Sequence, residues 1–166
     1  MLFMVIAGVM ENALAADGTI HFTGSVSDQT CTIDSSSQSL NVDLGTVSQA
    51  ALSGAAGIKA SPTQFTLTLN ACPDTVTGAS VKFDGTPDDV EKSLLALDDD
   101  TGVATGVGIE IANSDGTAIP LHSASADYPL VEGDNAIGFL ARYVSTGAAV
   151  TPGKANGTSE FTINYK

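Results

Sequence analysis

Residues Asp17–Cys31 read D-G-T-I-H-F-T-G-S-V-S-D-Q-T-C. Within them Gly18, Ile20, Phe22, Gly24 and Val26 alternate with Thr19, His21, Thr23 and Ser25. A period of two, built on β-branched and aromatic residues, predicts a strand. Two features set this strand apart. Its apolar face carries glycines where a core strand would place bulk. It also follows Ala13-Leu-Ala15, a small-x-small pattern that reads as a cleavage site and would leave the strand at a free N-terminus. A mobile strand with an apolar face is a liability unless something accepts it.

On its N-terminal side, residues 1–10 are apolar but too few to span a bilayer. Residues 1–15 therefore read as a secretory leader, with the mature chain starting at Ala16. No Lys or Arg precedes the apolar run, which leaves a longer leader open. Beyond the leader, no segment reads as a membrane anchor. The two cysteines, Cys31 and Cys72, suggest one disulfide in an exported chain. Closing that loop of about forty residues would restrict the unfolded chain by roughly 4 kcal/mol. A metal pair or a redox pair is the alternative, and neither nearby histidines nor a C-x-x-C spacing supports it.

On its C-terminal side, one alternating run follows another. Leu40, Val42 and Leu44 are followed by Phe65, Leu67 and Leu69, then by Val81 and Phe83. Residues 94–97 are a short apolar run. Val107, Ile109 and Ile111 lead through Asn113-Ser-Asp-Gly116 to Ile119 and Leu121. Ile137, Phe139, Ala141 and Tyr143 form another face, and Phe161, Ile163 and Tyr165 close the chain. The Ala-rich stretch 48–57 is broken by two glycines, so at most one helical turn survives there. Short strands with polar turns and no helical period predict an all-β sandwich or barrel in one domain.

Composition and motifs argue against most chemistries. The net charge of −13, with only six Lys and Arg, excludes the clustered cations that a nucleic-acid face needs. His21 and His122 are the only histidines, and neither sits in a nucleophile motif. Asp98-Asp99-Asp100 resembles a calcium loop superficially. Counting from Asp98, however, the sixth and twelfth positions are Val103 and Ile109, not the glycine and glutamate that such a loop requires. Asn156-Gly-Thr158 matches the glycosylation sequon. The sequence predicts no enzyme, no metal and no cofactor.

The segment G-T-I-H-F-T-G-S-V ahead of Cys31 resembles the N-terminal extension of chaperone–usher pilins, the type 1 fimbrial major pilin family. Cys72, the run Phe139-Leu-Ala-Arg-Tyr143 with Ser-Thr-Gly147, the glycine at Gly153 and the closing Phe161-Thr-Ile-Asn-Tyr-Lys166 with its penultimate Tyr165 agree with that family in order. The resemblance implies an incomplete immunoglobulin-like sandwich that lacks its last strand, completed by a donor strand from a neighbouring subunit. It divides the chain into a leader (1–15), an N-terminal extension (16–27) and a pilin domain (28–166).

The same resemblance implies a function: a structural subunit of a bacterial surface fimbria that supports adhesion. Such a subunit is exported through the periplasm and polymerises head to tail by donor-strand exchange. Gly18, Ile20, Phe22, Gly24 and Val26 would then form the donor face, and Phe161, Ile163 and Tyr165 the C-terminal strand at the acceptor groove. The carboxylate of Lys166 would be held by basic chaperone residues. The implied partners are identical subunits, a periplasmic chaperone and an outer-membrane usher, with neither nucleic acid nor membrane insertion. An adaptor subunit of the same fibre is the alternative; a carbohydrate-binding adhesin would carry a further domain. From the residues alone, Ile20, Phe22 and Val26 could equally begin an ordinary closed sandwich.

Overall fold

The computed structural model describes residues 19–26 and 29–166. The expected leader, Gly18 and the residues at 27–28 lie outside that range. The elements in chain order are β1 (Thr32–Ile33), α1 (Ser35–Gln38), α2 (Gln49–Leu52), β2 (Thr63–Cys72), β3 (Gly78–Asp84), β4 (Val107–Asn113), β5 (Ala118–Ile119), β6 (Tyr128–Pro129), β7 (Gly133–Ser145) and β8 (Glu160–Tyr165). Two antiparallel sheets face each other. One has the order β1-β2-β7-β4-β5, the other β6-β3-β8. The expected all-β sandwich is therefore present, and α2 is the single helical turn foreseen in the Ala-rich stretch.

The period-two runs place their apolar residues inward. Leu67 and Leu69 of β2, Val81 of β3 and Ile137 and Phe139 of β7 are almost fully buried. Phe139 is the centre of the core: its ring lies 5.1 Å from Phe83, 5.4 Å from Tyr128 and 5.6 Å from Phe65, centroid to centroid. These are contact distances at which aromatic pairs add to plain burial. The register Phe65↔Phe139 across β2 and β7, and Phe83↔Phe161 across β3 and β8, brings the aromatics to one level of the sandwich.

Strand β4 is buried on both faces. Ile109 and Ile111 point to the core, and Glu110 therefore stands on the opposite face. Its carboxylate is neutralised there by Arg142, its cross-strand partner at 2.6 Å, and by Lys59 at 2.7 Å. Pairing is what makes a buried carboxylate tolerable.

Cys31 and Cys72 are bonded, joining the chain just before β1 to the end of β2. The β2 register shifts between Leu69 and Cys72, where Ala71 takes φ 51°. An extra residue of this kind re-aims the strand end, and here it turns Cys72 toward Cys31.

Three of the apolar runs do not become strands. Leu40–Leu44 has no ladder, and residues 39–47 make no backbone–backbone hydrogen bond with any described residue. Residues 94–97 contribute only single bridges, through Leu95 to Pro87 and to Ile109. Residues 19–26 form no strand either, and all are exposed. The reason is common to the first and last of these. Alternation creates a strand only where an edge is available to pair with, and within this chain neither segment lies against one.

Candidate functional site: an unclosed groove along the C-terminal strand

β8 is the element on which the site is built. It pairs with β3 on one side, Ala79↔Tyr165 through Asp84↔Glu160, and with nothing on the other among the described residues. Lys166 and Gly78 exchange both main-chain bonds, at 2.8 and 3.3 Å. In an antiparallel ladder such bonded pairs recur at every second residue. The main-chain N–H and C=O groups of Phe161, Ile163 and Tyr165 therefore point to the open edge. Their side chains alternate with exposed Glu160, Thr162 and Asn164 and pack half-buried against the main core. One edge thus offers both unpaired backbone groups and an apolar face.

Beside that edge runs a groove of about 1040 Å³. Its floor is core: Phe65 and Leu67 of β2, Phe83 of β3, Ile109 and Ile111 of β4 and Ala141 of β7. One wall is Phe161 with the loop 155–160. The other is the unladdered segment 37–45, where Leu44 packs against the cluster formed by Leu95, Ile109, Leu121 and Ala141. At the far end the Tyr143 hydroxyl donates to the Ala155 carbonyl at 2.8 Å and ties floor to wall. Burial pushes the phenols of Tyr143 and Tyr165 up from their ordinary value, so both are neutral packing groups at physiological pH. Gly153, which the resemblance singled out, has a structural reason: a Cβ there would lie 2.5 Å from the Ala104 nitrogen and the Gly102 oxygen. The 150s loop can cross residues 102–104 only without a side chain at that point.

Of the residues expected at the site, Phe161, Ile163 and Tyr165 stand together on one face of β8. Phe161 lines the groove, and the other two continue the same edge. The main-chain oxygen of Lys166 accepts from the Thr77 and Gly78 amides, and its ammonium pairs with Asp127. Ile20, Phe22 and Val26 are 77%, 91% and 103% exposed, and beyond its two chain neighbours no heavy atom of the described residues lies within 4 Å of a Cβ built on Gly24. Gly18 lies outside the described residues. The segment does not close its own sandwich. The next described residue is Gln29, whose side-chain oxygen accepts from the Thr75 hydroxyl, near in sequence to the Cys31–Cys72 bond.

Sequence reasoning missed Leu95, Ile109 and Tyr143 as groove lining, because their alternation reads as core in any sandwich. It also read Leu40–Leu44 as a strand rather than a wall. His122 sits 2.8 Å from Asp84, on the surface and away from the groove. Among the described residues no group of three or more His, Cys, Asp or Glu is arranged to hold a metal.

An immunoglobulin-like sandwich open along its last strand defines a class: a subunit whose fold lacks one strand. Comparison with known proteins is specific about which. The sequence profile of the family described as fimbrial protein matches residues 20–166. A type 1 fimbrial subunit of Salmonella typhimurium is 39% identical over 173 residues, covering 95% of this chain and 92% of that protein. The type-1 fimbrial protein A chain of Escherichia coli is 42% identical over 154 residues, covering 90% and 83%. In structure, a type I fimbria protein of Burkholderia pseudomallei is similar with a TM-score of 0.64 at 37% identity, over 84% of this chain and 91% of that one. The P pilus rod subunit PapA shares the fold, with a TM-score of 0.69 at 23% identity over 82% and 99%. The chain belongs to the fimbrial protein family. It is a structural subunit of surface fimbriae, exported through the periplasm.

Proposed function

We propose that the groove beside β8 is filled by the N-terminal extension of a second copy, so that subunits join head to tail into a fibre. The observation that carries this is a complementarity within one chain. β8 presents unpaired backbone groups over an apolar groove. The segment 19–26 presents backbone that is unpaired among the described residues and an exposed apolar face of period two. Strand addition satisfies both at once: main-chain bonds form the ladder and alternate side chains fill the groove. Ile20, Phe22 and Val26 supply bulk, while Gly18 and Gly24 fit where the groove is shallow. Phe161, Ile163 and Tyr165 supply the accepting edge. Donor and acceptor are different surfaces, so the contact is heterologous and need not close into a ring.

On this reading residues 1–15 are removed on export, 16–27 form the extension and 28–166 the domain. Until a neighbour arrives, the open edge is an aggregation hazard. A periplasmic chaperone that lends a strand, and an outer-membrane usher where the exchange takes place, meet that need. The chain's role is mechanical, contributing to adhesion through the fibre and assigning catalysis to no residue.

The test is deletion of Asp17–Ser25. The shortened subunit should fold with its chaperone, accept a neighbour's strand and fail to donate one, leaving short capped chains. Failure to fold in the presence of chaperone would make the extension an intramolecular strand and overturn the reading.

A further inference from the structure

Asn156-Gly157 is the one Asn–Gly dipeptide in the sequence, and the fibre gives it no task. Both residues are exposed, in the loop that leads into β8 and walls the groove. The main chain around them is pinned. The Lys154 carbonyl accepts from the Ala104 amide, the Ala155 carbonyl from the Tyr143 hydroxyl and the Asn156 carbonyl from the Asp98 amide, each at 2.8 Å. Among the described residues the Asn156 carboxamide and the Gly157 N–H, in contrast, have no hydrogen-bond partner. Other asparagines are restrained. Asn113 is buried and accepts from Ala126 and Tyr128, Asn70 donates to Asp34, and Asn135 donates to Val131. Asn41 and Asn164 are followed by Val and Tyr, whose side chains crowd the next amide nitrogen.

We propose that Asn156–Gly157 is a spontaneous deamidation site that ages the groove. The Gly157 nitrogen gives its proton to solvent and attacks Cγ of Asn156. A C–N bond forms, Nδ2 takes a proton from solvent and leaves as ammonia, and a five-membered imide results. Water then adds to either imide carbonyl and opens the ring. The product is aspartate, or isoaspartate with the main chain routed through the former side chain. No oxidant or reductant is involved, and glycine's lack of a Cβ leaves the attacking nitrogen open.

Both products place a carboxylate in a loop that already touches Asp98, whose Oδ2 accepts from Thr158 at 3.1 Å. Isoaspartate also lengthens the main chain by one atom just before β8. There is little slack to absorb it: a Cβ at Gly157 would lie 2.6 Å from Ile109 Cδ1 and 3.4 Å from Leu95 Cδ2, both on groove-lining residues. The chemical step stands on the loop alone; its effect on strand uptake rests on the reading proposed above. Subunits left unassembled would lose acceptor competence with time, while a filled groove would hold the loop.

The experiment holds the purified full-length subunit at mildly alkaline pH and maps its peptides by mass over time, against the same protein in denaturant. At each point, uptake of a fluorescent synthetic peptide of residues 16–28 is measured, for the parent, Asn156→Gln and Asn156→Asp. Asn156 should convert several-fold faster than any other asparagine. Uptake should fall about tenfold as it does, stay level in Asn156→Gln and start low in Asn156→Asp. An intact amide at Asn156 in the folded protein, while the denatured control converts, would overturn the site. Equal decay of uptake in Asn156→Gln would overturn the consequence. Fresh protein that takes no peptide would instead defeat the strand-acceptance reading, and the peptide map would still decide the site.

Discussion

Replacing Gly24 with valine separates the donor from the acceptor. In its own chain a Cβ added at Gly24 meets no heavy atom of the described residues within 4 Å beyond its two chain neighbours, so the substitution should leave the subunit's own stability within about 0.5 kcal/mol of the parent. Strand propensity even favours valine, by up to about 1 kcal/mol. The effect must then come from the neighbour. Gly24 shares a face with Phe22 and Val26, and a residue on that face points into the accepting groove. The floor there is already packed core, including Phe65, Ile109 and Ala141. Forcing extra carbons onto a formed core costs about 1–3 kcal/mol, which corresponds to roughly 5- to 150-fold weaker strand acceptance. Thr23→Val adds similar bulk on the outward face and should be nearly silent. The assay is the rate and yield of polymer from purified chaperone–subunit complexes of the three proteins. Wild-type polymerisation by Gly24→Val, or equal damage from Thr23→Val, would refute the register and the close approach inferred for this glycine.

Three further outcomes follow from the domain itself. Replacing both Cys31 and Cys72 with alanine frees a loop with a sequence separation of 41; denaturant unfolding should show a loss of roughly 4 kcal/mol, and an unchanged midpoint would remove the disulfide from the stability argument. Glu110→Ala leaves Arg142 and Lys59 without their shared carboxylate and should destabilise by about 3 kcal/mol, with recovery in Glu110→Met/Arg142→Leu; a silent single mutant would show that the ion cluster is not buried in solution. The hydrogen bond from His122, then that from Lys82, holds the Asp84 carboxyl below its ordinary value of 3.8, and Asp34, Glu91 and Asp115 are likewise lowered. A lowered folded-state value gives stability that is complete above the ordinary carboxylate range and is lost as pH falls through the folded value. Thermal midpoints should therefore drop below about pH 4, less steeply in Asp84→Asn; identical acid slopes would contradict the assignment.

The class of fold and the positions of most long strands are legible in the residue pattern. Alternation at Phe65–Leu69, Val81–Phe83, Val107–Ile111 and Ile137–Tyr143 is a local property, and each run became a strand because burial rewards the same period-two pattern whichever partner it meets. Two cysteines alone also allowed only one pairing within the chain. Long-range packing settles the fate of runs whose patterns look the same. Leu40–Leu44 alternates as well as Leu67–Leu69 does, yet it walls a groove, because no edge lies beside it to pair with. The alternation of Phe161–Tyr165 reads as core, and the sheet order β6-β3-β8 shows that one of its edges is unpaired among the described residues. Alternation reports which face of a segment is apolar. It carries no information about which chain, its own or a neighbour's, supplies the backbone groups on either side, because hydrogen-bonding partners in a sheet are distant in sequence.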